Sequence, residues 1–388
     1  MKPRPDCPGC GGRTLVKGLE LKGQPTVLNY RFRTVAEARK VPRGDVTLRQ
    51  CGSCGLVFNA TFEGSRIPYD ERYENRQGAS PLFRAHVDAL IQRLGDVPGV
   101  RGGRLLEVGC GKGEFLRRAA ERLGATAEGY DTSYEGPMEM DGGRVRFHRG
   151  YLTGADVRGS HDVVICRHVV EHVAGIGAFL GELASIARAA GDPLVVVETP
   201  RFEWIVAHEC LWDVFYEHCN YFTQPTLAHL ARRAGFVVKR HVGVFGGQYQ
   251  WLELRVAKRA PRPMPRPGPG VPSGGSLAAF TRSATQQRRW LARAIDAGRG
   301  DGAWGIWGAG AKGVALAHLM AARPPACVVD VNPAKQGGVI PGTSVPVVAP
   351  TDPAIARLAL VVIANPNYEP EIRAGLEAMG FHGNILCL

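Results

Sequence analysis

The sequence predicts an α/β protein with two Rossmann-like units and a small cysteine-stapled module ahead of them. From Gly103 onward, short apolar runs alternate with helical patterns, and a second series of this kind begins at Trp304. Strands that alternate with helices indicate a doubly wound, mostly parallel sheet. Two Cys-x-x-Cys turns lie within residues 1–60. Such pairs are typical of a module that is too small to form a core alone.

The length of the chain indicates several domains. At 388 residues it exceeds what one hydrophobic core usually supports. Shifts in composition divide it into an N-terminal module, a central domain, a Pro/Gly/Arg-rich linker and a C-terminal domain, at residues 1–68, 69–257, 258–276 and 277–388. A helix is expected between Tyr69 and Leu94, and a short strand at Thr26–Tyr30, from their apolar spacing.

The composition of the chain indicates where the protein is located in the cell and which classes of molecule it could bind. No apolar run approaches the roughly 20 residues that cross a bilayer, so membrane insertion is not expected. Residues 1–6 lack the apolar stretch of a secretory signal, and most cysteines are scattered, which favours a reduced, cytoplasmic protein. The formal net charge of +12 admits nucleic acids or phosphorylated small molecules, and a solvated basic surface is the simpler interpretation.

The four paired cysteines predict a structural zinc site. Each Cys-x-x-Cys turn brings two sulfurs to one point, and four thiolates satisfy the tetrahedral preference of Zn²⁺. Four sulfur ligands leave no position for water, so the metal would be structural rather than catalytic. An iron–sulfur cluster or free thiols are the alternatives. The predicted ligands are Cys7, Cys10, Cys51 and Cys54.

A glycine-rich turn after the strand Leu105–Val108 predicts a nucleotide-type cofactor site. Its glycines are Gly109, Gly111 and Gly113, and a helix follows at Phe115. Glycines let the backbone approach a ligand, and the start of the helix offers free amide groups. Asp131 follows Gly111 by twenty residues, at the end of the next predicted strand, where it is placed to accept hydrogen bonds from ribose hydroxyls.

This arrangement resembles the S-adenosylmethionine (SAM) binding half of class I methyltransferases. The resemblance implies that Glu107 and the glycines line the methionine end of SAM and that Asp131 holds the ribose. Asp162–His172 resembles the fourth strand and the following loop of that family, so His168 would cover the cofactor. The resemblance also implies that Tyr151 lies near the adenine. A dinucleotide site is the weaker alternative.

Methyl transfer is an in-line displacement that needs an aligned nucleophile and, where that nucleophile carries a proton, a base. The polar segment at residues 212–222 holds Tyr216, Glu217 and His218, and His172 lies in the loop expected to face the cofactor. His218 titrates near neutral pH, and Glu217 is placed to hold it or to polarise a substrate hydroxyl. The plainer alternative is that this segment is core and that the histidines have structural roles.

The order of parts is similar to that of three-part, SAM-dependent sugar C-methyltransferases. The C-terminal sequences Gly305–Gly313, Val328–Gly337 and Pro341–Thr343 are similar to signatures of that family. The resemblance implies carbon methylation beside the ketone of a nucleotide-linked sugar, with His218 as base and Glu217 and His172 assisting. Two positions depart from the family: Phe215–His218 stands where it tends to have Tyr-His-Glu-His, and Tyr73–Arg76 stands in its Tyr-rich run.

The C-terminal glycine turn has two interpretations. Gly308, Gly310 and Gly313, with Asp330 twenty residues after Gly310, also fit a dinucleotide fingerprint. Lys312 within the turn and the family resemblance favour a domain that completes the substrate cleft. For the whole chain, the alternatives are O- or N-methylation of another small metabolite, RNA methylation and a non-catalytic scaffold. RNA is disfavoured because the chain lacks a basic stripe interleaved with aromatics.

Overall fold

The computed structural model describes residues 3–70, 72–258 and 277–388. The N-terminal region contains three strands and one short helix, β1 (Leu15–Pro25), α1 (Val35–Arg39), β2 (Arg43–Cys51) and β3 (Val57–Asn59). The central region begins with α2 (Pro81–Gly95), β4 (Arg104–Val108), α3 (Glu114–Leu123), β5 (Thr126–Asp131), β6 (Glu139–Met140), β7 (Val145–Arg149) and β8 (Val163–Arg167).

The central region continues with α4 (Ile176–Ala189), β9 (Leu194–Pro200), α5 (Phe202–Ala207), β10 (Asn220–Tyr221), α6 (Gln224–Arg233), β11 (Phe236–Val244) and β12 (Tyr249–Val256). The C-terminal region contains α7 (Leu277–Arg299), β13 (Ala303–Trp307), α8 (Ala311–Leu319), β14 (Cys327–Val329), β15 (Val347–Val348), β16 (Leu358–Ile363), α9 (Glu369–Ala378) and β17 (Asn384–Cys387). The linker predicted at 258–276 lies, except for its first residue, outside the described part of the chain.

The large central sheet has the strand order β11-β12-β9-β8-β4-β5-β7-β6. Its five middle strands are parallel, while β12 runs antiparallel to β9 and β11 antiparallel to β12. Neighbouring residues of β4 face opposite sides: Leu105 packs with α2 and α3, whereas Leu106 packs with α4 and α6. Because both faces are buried at the middle of the sheet, β8 and β9 are apolar over most of their length. The predicted α/β class is confirmed.

The C-terminal sheet is a second Rossmann-like unit with the order β15-β14-β13-β16-β17, all parallel. Its core is continuous with those of the other regions. One cluster of buried apolar side chains includes Val46 of β2, Phe202 of α5, Leu277 of α7 and Ile306 of β13. The three regions therefore share one hydrophobic cluster, in addition to further clusters such as that around β4 in the central region and that around Val361 in the C-terminal region.

The N-terminal sheet takes its fourth strand from the central region. Its order is β1-β2-β3-β10, and Asn220 of β10 lies opposite Phe58 of β3. The strand predicted at Thr26–Tyr30 is absent, because β1 ends at Pro25 and the amide groups of Leu28 and Asn29 instead bind a side chain of the central region. The module is thus built together with the central region.

The helix predicted from Tyr69 begins only at Pro81. Ser80 caps it by accepting a hydrogen bond from the Phe83 amide, and Pro81 occupies the first turn. The described residues between 69 and 80 are not helical, and Tyr73 forms a bridge with Tyr30. In the described part of the chain, no helix has the length and apolarity needed to cross a membrane.

Candidate active site

One cavity of about 1310 Å³ lies where the three regions meet. It begins at the central glycine turn after β4 and ends over the second glycine turn after β13. The segment at residues 67–80 and the histidines of residues 168–172 and 218 line the space between the two turns. Ligands of open α/β sheets bind at the carboxyl ends of the strands, which is where both turns lie. The cavity is therefore the candidate active site.

The central glycine turn needs glycine for conformation and for space. Gly109, Gly111 and Gly113 have positive φ angles of 76°, 55° and 76°. A Cβ at Gly109 would lie 2.3 Å from a Val169 methyl, and one at Gly113 would lie 2.5 Å from the Phe147 ring. Gly109 and Gly111 line the cavity, whereas Gly113 caps α3 beneath it.

Two acidic side chains flank this turn. Asp131 closes it by accepting a hydrogen bond from the Gly111 amide at 2.8 Å, and its other oxygen accepts two from Ser133. Glu107 is buried, and its Oε2 has no partner among the described residues although the side chain lines the cavity. Burial raises the pKa of Glu107 to about 8. An unpartnered buried oxygen is suited to a ligand donor.

His168 and Tyr151, both predicted to bind the cofactor, line the same cavity. Tyr151 is 88% exposed. The His168 ring lies between two buried carboxylates, 3.4 Å from Glu171 and 3.5 Å from Glu198. Burial alone would lower the pKa of His168, but Glu198 and Glu171 raise it to about 9. Arg167 and His86 bind the same Glu198 carboxylate at 2.7 and 2.8 Å.

The predicted catalytic histidines lie together and line the same cavity. The rings of His172 and His218 make an edge contact with centroids 4.9 Å apart, and Phe215 packs on His218 at 4.3 Å. His172 Nδ1 lies 2.9 Å from the Glu217 carbonyl oxygen and 3.0 Å from the Tyr69 hydroxyl. A carbonyl only accepts, so Nδ1 carries the proton and the Nε2 lone pair is left for other contacts.

Burial and the neighbouring His172 lower the pKa of His218 well below its usual value, while Glu171 opposes this shift. Its imidazole is therefore neutral at neutral pH and able to accept a proton. Burial raises the pKa of Glu171, but the hydrogen bond with His168 and the nearby His172 outweigh burial and lower it to about 2. The ionised Glu171 carboxylate thus lies close to His172 and His218. A carboxylate oxygen and a ring nitrogen of each histidine all lie within 4.8 Å of one another.

Glu217 does not hold His218, contrary to one predicted role. One of its oxygens accepts hydrogen bonds from the amides of Leu28 and Asn29, and the other accepts one from the Tyr73 hydroxyl at 2.9 Å. The side chain is fully buried and borders the cavity. Its carboxylate joins the loop that carries His218 to the N-terminal region.

The position of Tyr216 contradicts the sequence-based prediction that this residue has a catalytic role. Its ring is fully buried against Phe62 and Gly44, and its hydroxyl accepts a hydrogen bond from the Glu63 amide at 2.9 Å. It does not line the cavity. Alternation along the loop explains this, because Phe215 and Glu217 face the cavity while the residue between them faces the N-terminal sheet.

The four cysteines of the N-terminal region converge. Cys7 and Cys54 sulfurs lie 3.6 Å apart, as do those of Cys10 and Cys51, and all four lie within 4.8 Å of one another. The amides of Gly9, Gly12 and Ser53 point at sulfurs. Zinc–sulfur bonds of about 2.3 Å in a tetrahedron place sulfurs about 3.8 Å apart, so this donor set fits zinc.

The second glycine turn also closes on its own carboxylate. Asp330 accepts hydrogen bonds from the Ala309 amide at 2.6 Å and the Asn332 amide at 2.7 Å. A Cβ at Gly313 would lie 1.9 Å from the Gly308 carbonyl oxygen, so this glycine serves close helix packing. Lys312 forms an ion pair with Asp213 at 2.8 Å. The turn and Lys312 border the cavity.

Two stretches of the chain match models of known domains. A methyltransferase domain matches residues 79–241, which include the central glycine turn and both candidate catalytic histidines. The central domain is therefore similar to a methyltransferase domain over these residues. A C-methyltransferase C-terminal domain matches residues 270–387. The predicted methyl-transferring class of enzyme is thereby confirmed at the level of these domains.

Curated relatives match part of the chain. The ubiquinone biosynthesis O-methyltransferase of Bradyrhizobium sp. (strain ORS 278) is 33% identical over 112 residues, 26% of this chain and 42% of the relative. That of Nitrobacter winogradskyi is 32% identical over 168 residues, 37% of this chain and 60% of the relative. The chain thus spans about half the length of these relatives.

Solved structures share only part of the fold. A 1,6-didemethyltoxoflavin N1-methyltransferase of Burkholderia thailandensis is 20% identical, with 46% of this chain and 79% of that one covered, at a TM-score of 0.34. Magnesium protoporphyrin IX methyltransferase of Synechocystis PCC 6803 is 18% identical, with 45% and 84% covered, also at 0.34. TM-scores this low do not bear on substrate or chemistry.

Several residues at the site carried no sequence signal of their own. Tyr69 contacts His172, and Asn29 and Tyr73 hold Glu217. Tyr69 and Asn29 lie in segments without a motif. Only contacts between residues distant along the chain bring them to the cavity.

Proposed function

We propose that this chain is a SAM-dependent methyltransferase that methylates a carbon beside the ketone of a nucleotide-linked sugar, with His218 as the base. The observation that carries the proposal is the single cavity that joins the glycine turn of the methyltransferase domain, the His172–His218 pair and the C-terminal domain. A cofactor, a base and an elongated acceptor can share that space.

The glycine turn fits SAM, which supplies a methyl group on a positively charged sulfur when bound. The unpartnered Oε2 of Glu107 suits the ammonium group of SAM, and Asp131 suits its ribose hydroxyls. We assign cofactor binding to Glu107, Gly109, Gly111, Asp131, Tyr151 and His168, whereas Gly113 allows the turn to lead into α3.

A neutral His218 is suited to remove the proton from the acceptor carbon. The C–H bond breaks, an N–H bond forms on the imidazole, and the electron pair passes to the carbonyl oxygen as an enolate. Ionised Glu171 then stabilises the imidazolium, because it raises the pKa of His218. His172 is held by the Glu217 carbonyl and assists, while the Glu217 carboxylate fixes the loop.

The acceptor assignment is supported by two observations. The C-terminal region matches a domain described from C-methyltransferases. The cavity is also bordered by the basic side chains of Arg76 and Lys312, and basic groups suit the phosphates of a nucleotide. The three-part sugar C-methyltransferase resemblance agrees with both.

We further propose that Cys7, Cys10, Cys51 and Cys54 hold a structural zinc ion. Their sulfur separations support this assignment, and full coordination by sulfur leaves no place for substrate.

O-methylation of a small metabolite is the second candidate. It is favoured by the curated relatives, which are named O-methyltransferases. It would use the same cavity, with His218 deprotonating a hydroxyl.

The test is a mass-spectrometric screen of the purified protein with SAM against nucleotide-linked keto-sugars and their hydroxyl analogues. The proposal predicts one added methyl group on a keto-sugar and none with His218→Asn. Methylation confined to hydroxyl analogues would favour the second candidate, and no product on either set would contradict both.

A further inference from the structure

Lys335 of the C-terminal region connects two regions across the cavity. Its ammonium donates a hydrogen bond to the Ala309 carbonyl oxygen at 2.9 Å, within the second glycine turn. It also donates to the Asn29 side-chain oxygen of the N-terminal region at 3.3 Å. Burial lowers the pKa of Lys335, while nearby Asp330 and Glu74 raise it. Lys335 is half-buried, and both of these hydrogen bonds go to other residues of the protein rather than to solvent.

Asn29 is also a residue that holds Glu217. Its amide donates to the Glu217 carboxylate at 3.3 Å, as does the amide of Leu28. The Asn29 carbonyl oxygen accepts a hydrogen bond from the Glu74 amide at 2.7 Å. The loop that carries Glu217 and His218 is therefore held by the short segment around Leu28 and Asn29. Contacts from other residues, such as Glu74, hold that segment in turn.

The segment at residues 28–33 has no regular strand to fix it. It lies between β1 and α1, and the C-terminal loop at residues 332–339 clamps its far end. Phe32 forms a bridge with Val339, and Arg33 donates to the Gln336 carbonyl oxygen at 3.1 Å. In the described part of the chain, Lys335 supplies the hydrogen bond from this loop that reaches Asn29 itself.

We propose that Lys335 is a positioning residue: its ammonium fixes Asn29, and Asn29 in turn fixes Glu217 beside the base His218. Through these contacts, the C-terminal region helps to position the loop that carries His218. The catalytic part of this inference rests on the proposed function, whereas the anchoring part is a property of the unliganded protein.

The anchoring part is tested without any substrate by amide hydrogen exchange. Lys335→Met is expected to speed exchange in a peptide spanning residues 26–33 about tenfold, while a peptide over β4 is unchanged. Lys22→Met, which removes an exposed lysine paired with Asp45, is the control and should change neither. Unchanged exchange at 26–33 in Lys335→Met would overturn the inference, whether or not the protein methylates anything.

The catalytic part is tested with a double-mutant cycle on the methylation rate. Lys335→Met and Asn29→Ala are each expected to lower kcat about tenfold with little change in KM, and the double variant should be no worse than either single variant. Because Asn29→Ala removes the same hydrogen bond from the other side, it serves if Lys335→Met does not fold. Additive losses, or a raised KM at constant kcat, would overturn the positioning role. A wild-type protein that methylates no acceptor would instead contradict the proposed function.

Discussion

His218 is the residue on which the proposed chemistry depends most. Its ring is enclosed by Phe215 and His172, and Glu171 is the anion placed to stabilise its protonated form. Replacing His218 with Asn keeps a side chain of similar size but removes the base. We expect turnover to fall by about 100- to 10,000-fold while SAM affinity, measured by calorimetry, stays within about twofold. Normal turnover in this variant would show that another group is the base.

Glu107 gives a prediction about pH. Because burial raises the pKa of Glu107 to about 8, the carboxyl is mostly protonated in the free protein at pH 7. Pairing with the SAM ammonium requires the ionised form, so binding should release a proton. Apparent SAM affinity should therefore fall as pH drops below 8, by up to about tenfold per pH unit.

The proton released on binding is measured by calorimetry at pH 7 in two buffers with different ionisation enthalpies. Glu107→Gln is the matched variant and should abolish the buffer dependence. Identical enthalpies in both buffers for the wild-type protein would contradict the assigned role of Glu107.

Local motifs made some of these residues predictable, and others not. The glycines and Asp131 lie within one strand–turn–helix unit, whose conformation follows from adjacent sequence. Glu217 was found by its residue type, but its partners at Leu28, Asn29 and Tyr73 come from another region, so its role as an anchor could not be predicted.

The element that positions His218 is β10. Its pairing with β3 continues into the preceding residue, where the Asn59 amide donates to the Cys219 carbonyl oxygen at 2.9 Å. Cys51 is the last residue of β2, Cys54 lies shortly before β3, and His218 lies shortly before β10, so the cysteine cluster and the candidate base flank one sheet. A metal site far from the chemistry can therefore affect catalysis through this pairing.

This connection predicts the effect of removing the metal. The wild-type protein should contain one zinc per chain by elemental analysis, and Cys10→Ser should lower both the zinc content and the Tm. Methylation should fall more than about tenfold because His218 loses its support, while SAM still binds. Cys387→Ser, outside the cluster, is the control. Full activity in zinc-free protein would contradict the connection.

Elements with strong periodicity were predictable, and boundaries set by distant contacts were not. The strands β4, β5 and β13 follow from compact apolar runs before glycine turns. The start of α2 was predicted too early because the apolar side chains with helical spacing, from Phe83 to Leu94, all lie within α2 and do not mark where the helix begins. Tyr69 and Tyr73 lie before the helix and face His172 and Glu217 instead.

At the scale of the whole molecule, an enclosed ion pair joins the C-terminal and central regions. Lys312 of α8 contacts Asp213 at 2.8 Å, with side chains 14% and 5% exposed, and its ammonium lies 4.3 Å from the centre of the Trp204 ring. Lys312→Met would leave Asp213 buried without a partner. We expect the free energy of unfolding to fall by about 3–5 kcal/mol.

Urea unfolding measures this loss as a shift in the midpoint. The control is Arg373→Ala, which breaks the exposed pair with Glu369 at 2.7 Å and should cost less than about 1 kcal/mol. Equal, small shifts in the two variants would show that the Lys312 pair does not stabilise the joined regions.

The α/β class and the order of the parts were predictable because each part has its own pattern. A cleft completed by the C-terminal domain was expected from the family resemblance. The shared core was not predictable, because it depends on the N-terminal sheet taking β10 from the central region and on contacts between regions such as Asn332 with Glu74. Tyr216 was assigned to the site on proximity in sequence and belongs to that joint core.

The most direct test of carbon methylation through an enolate is exchange of the acceptor's α-proton in deuterated water. A keto-sugar that the screen identifies as an acceptor is incubated with the protein and followed by NMR. The account predicts that wild-type protein exchanges the proton beside the ketone and that His218→Asn does not. A methylated product formed without any α-proton exchange, and with the new methyl group on oxygen, would contradict it.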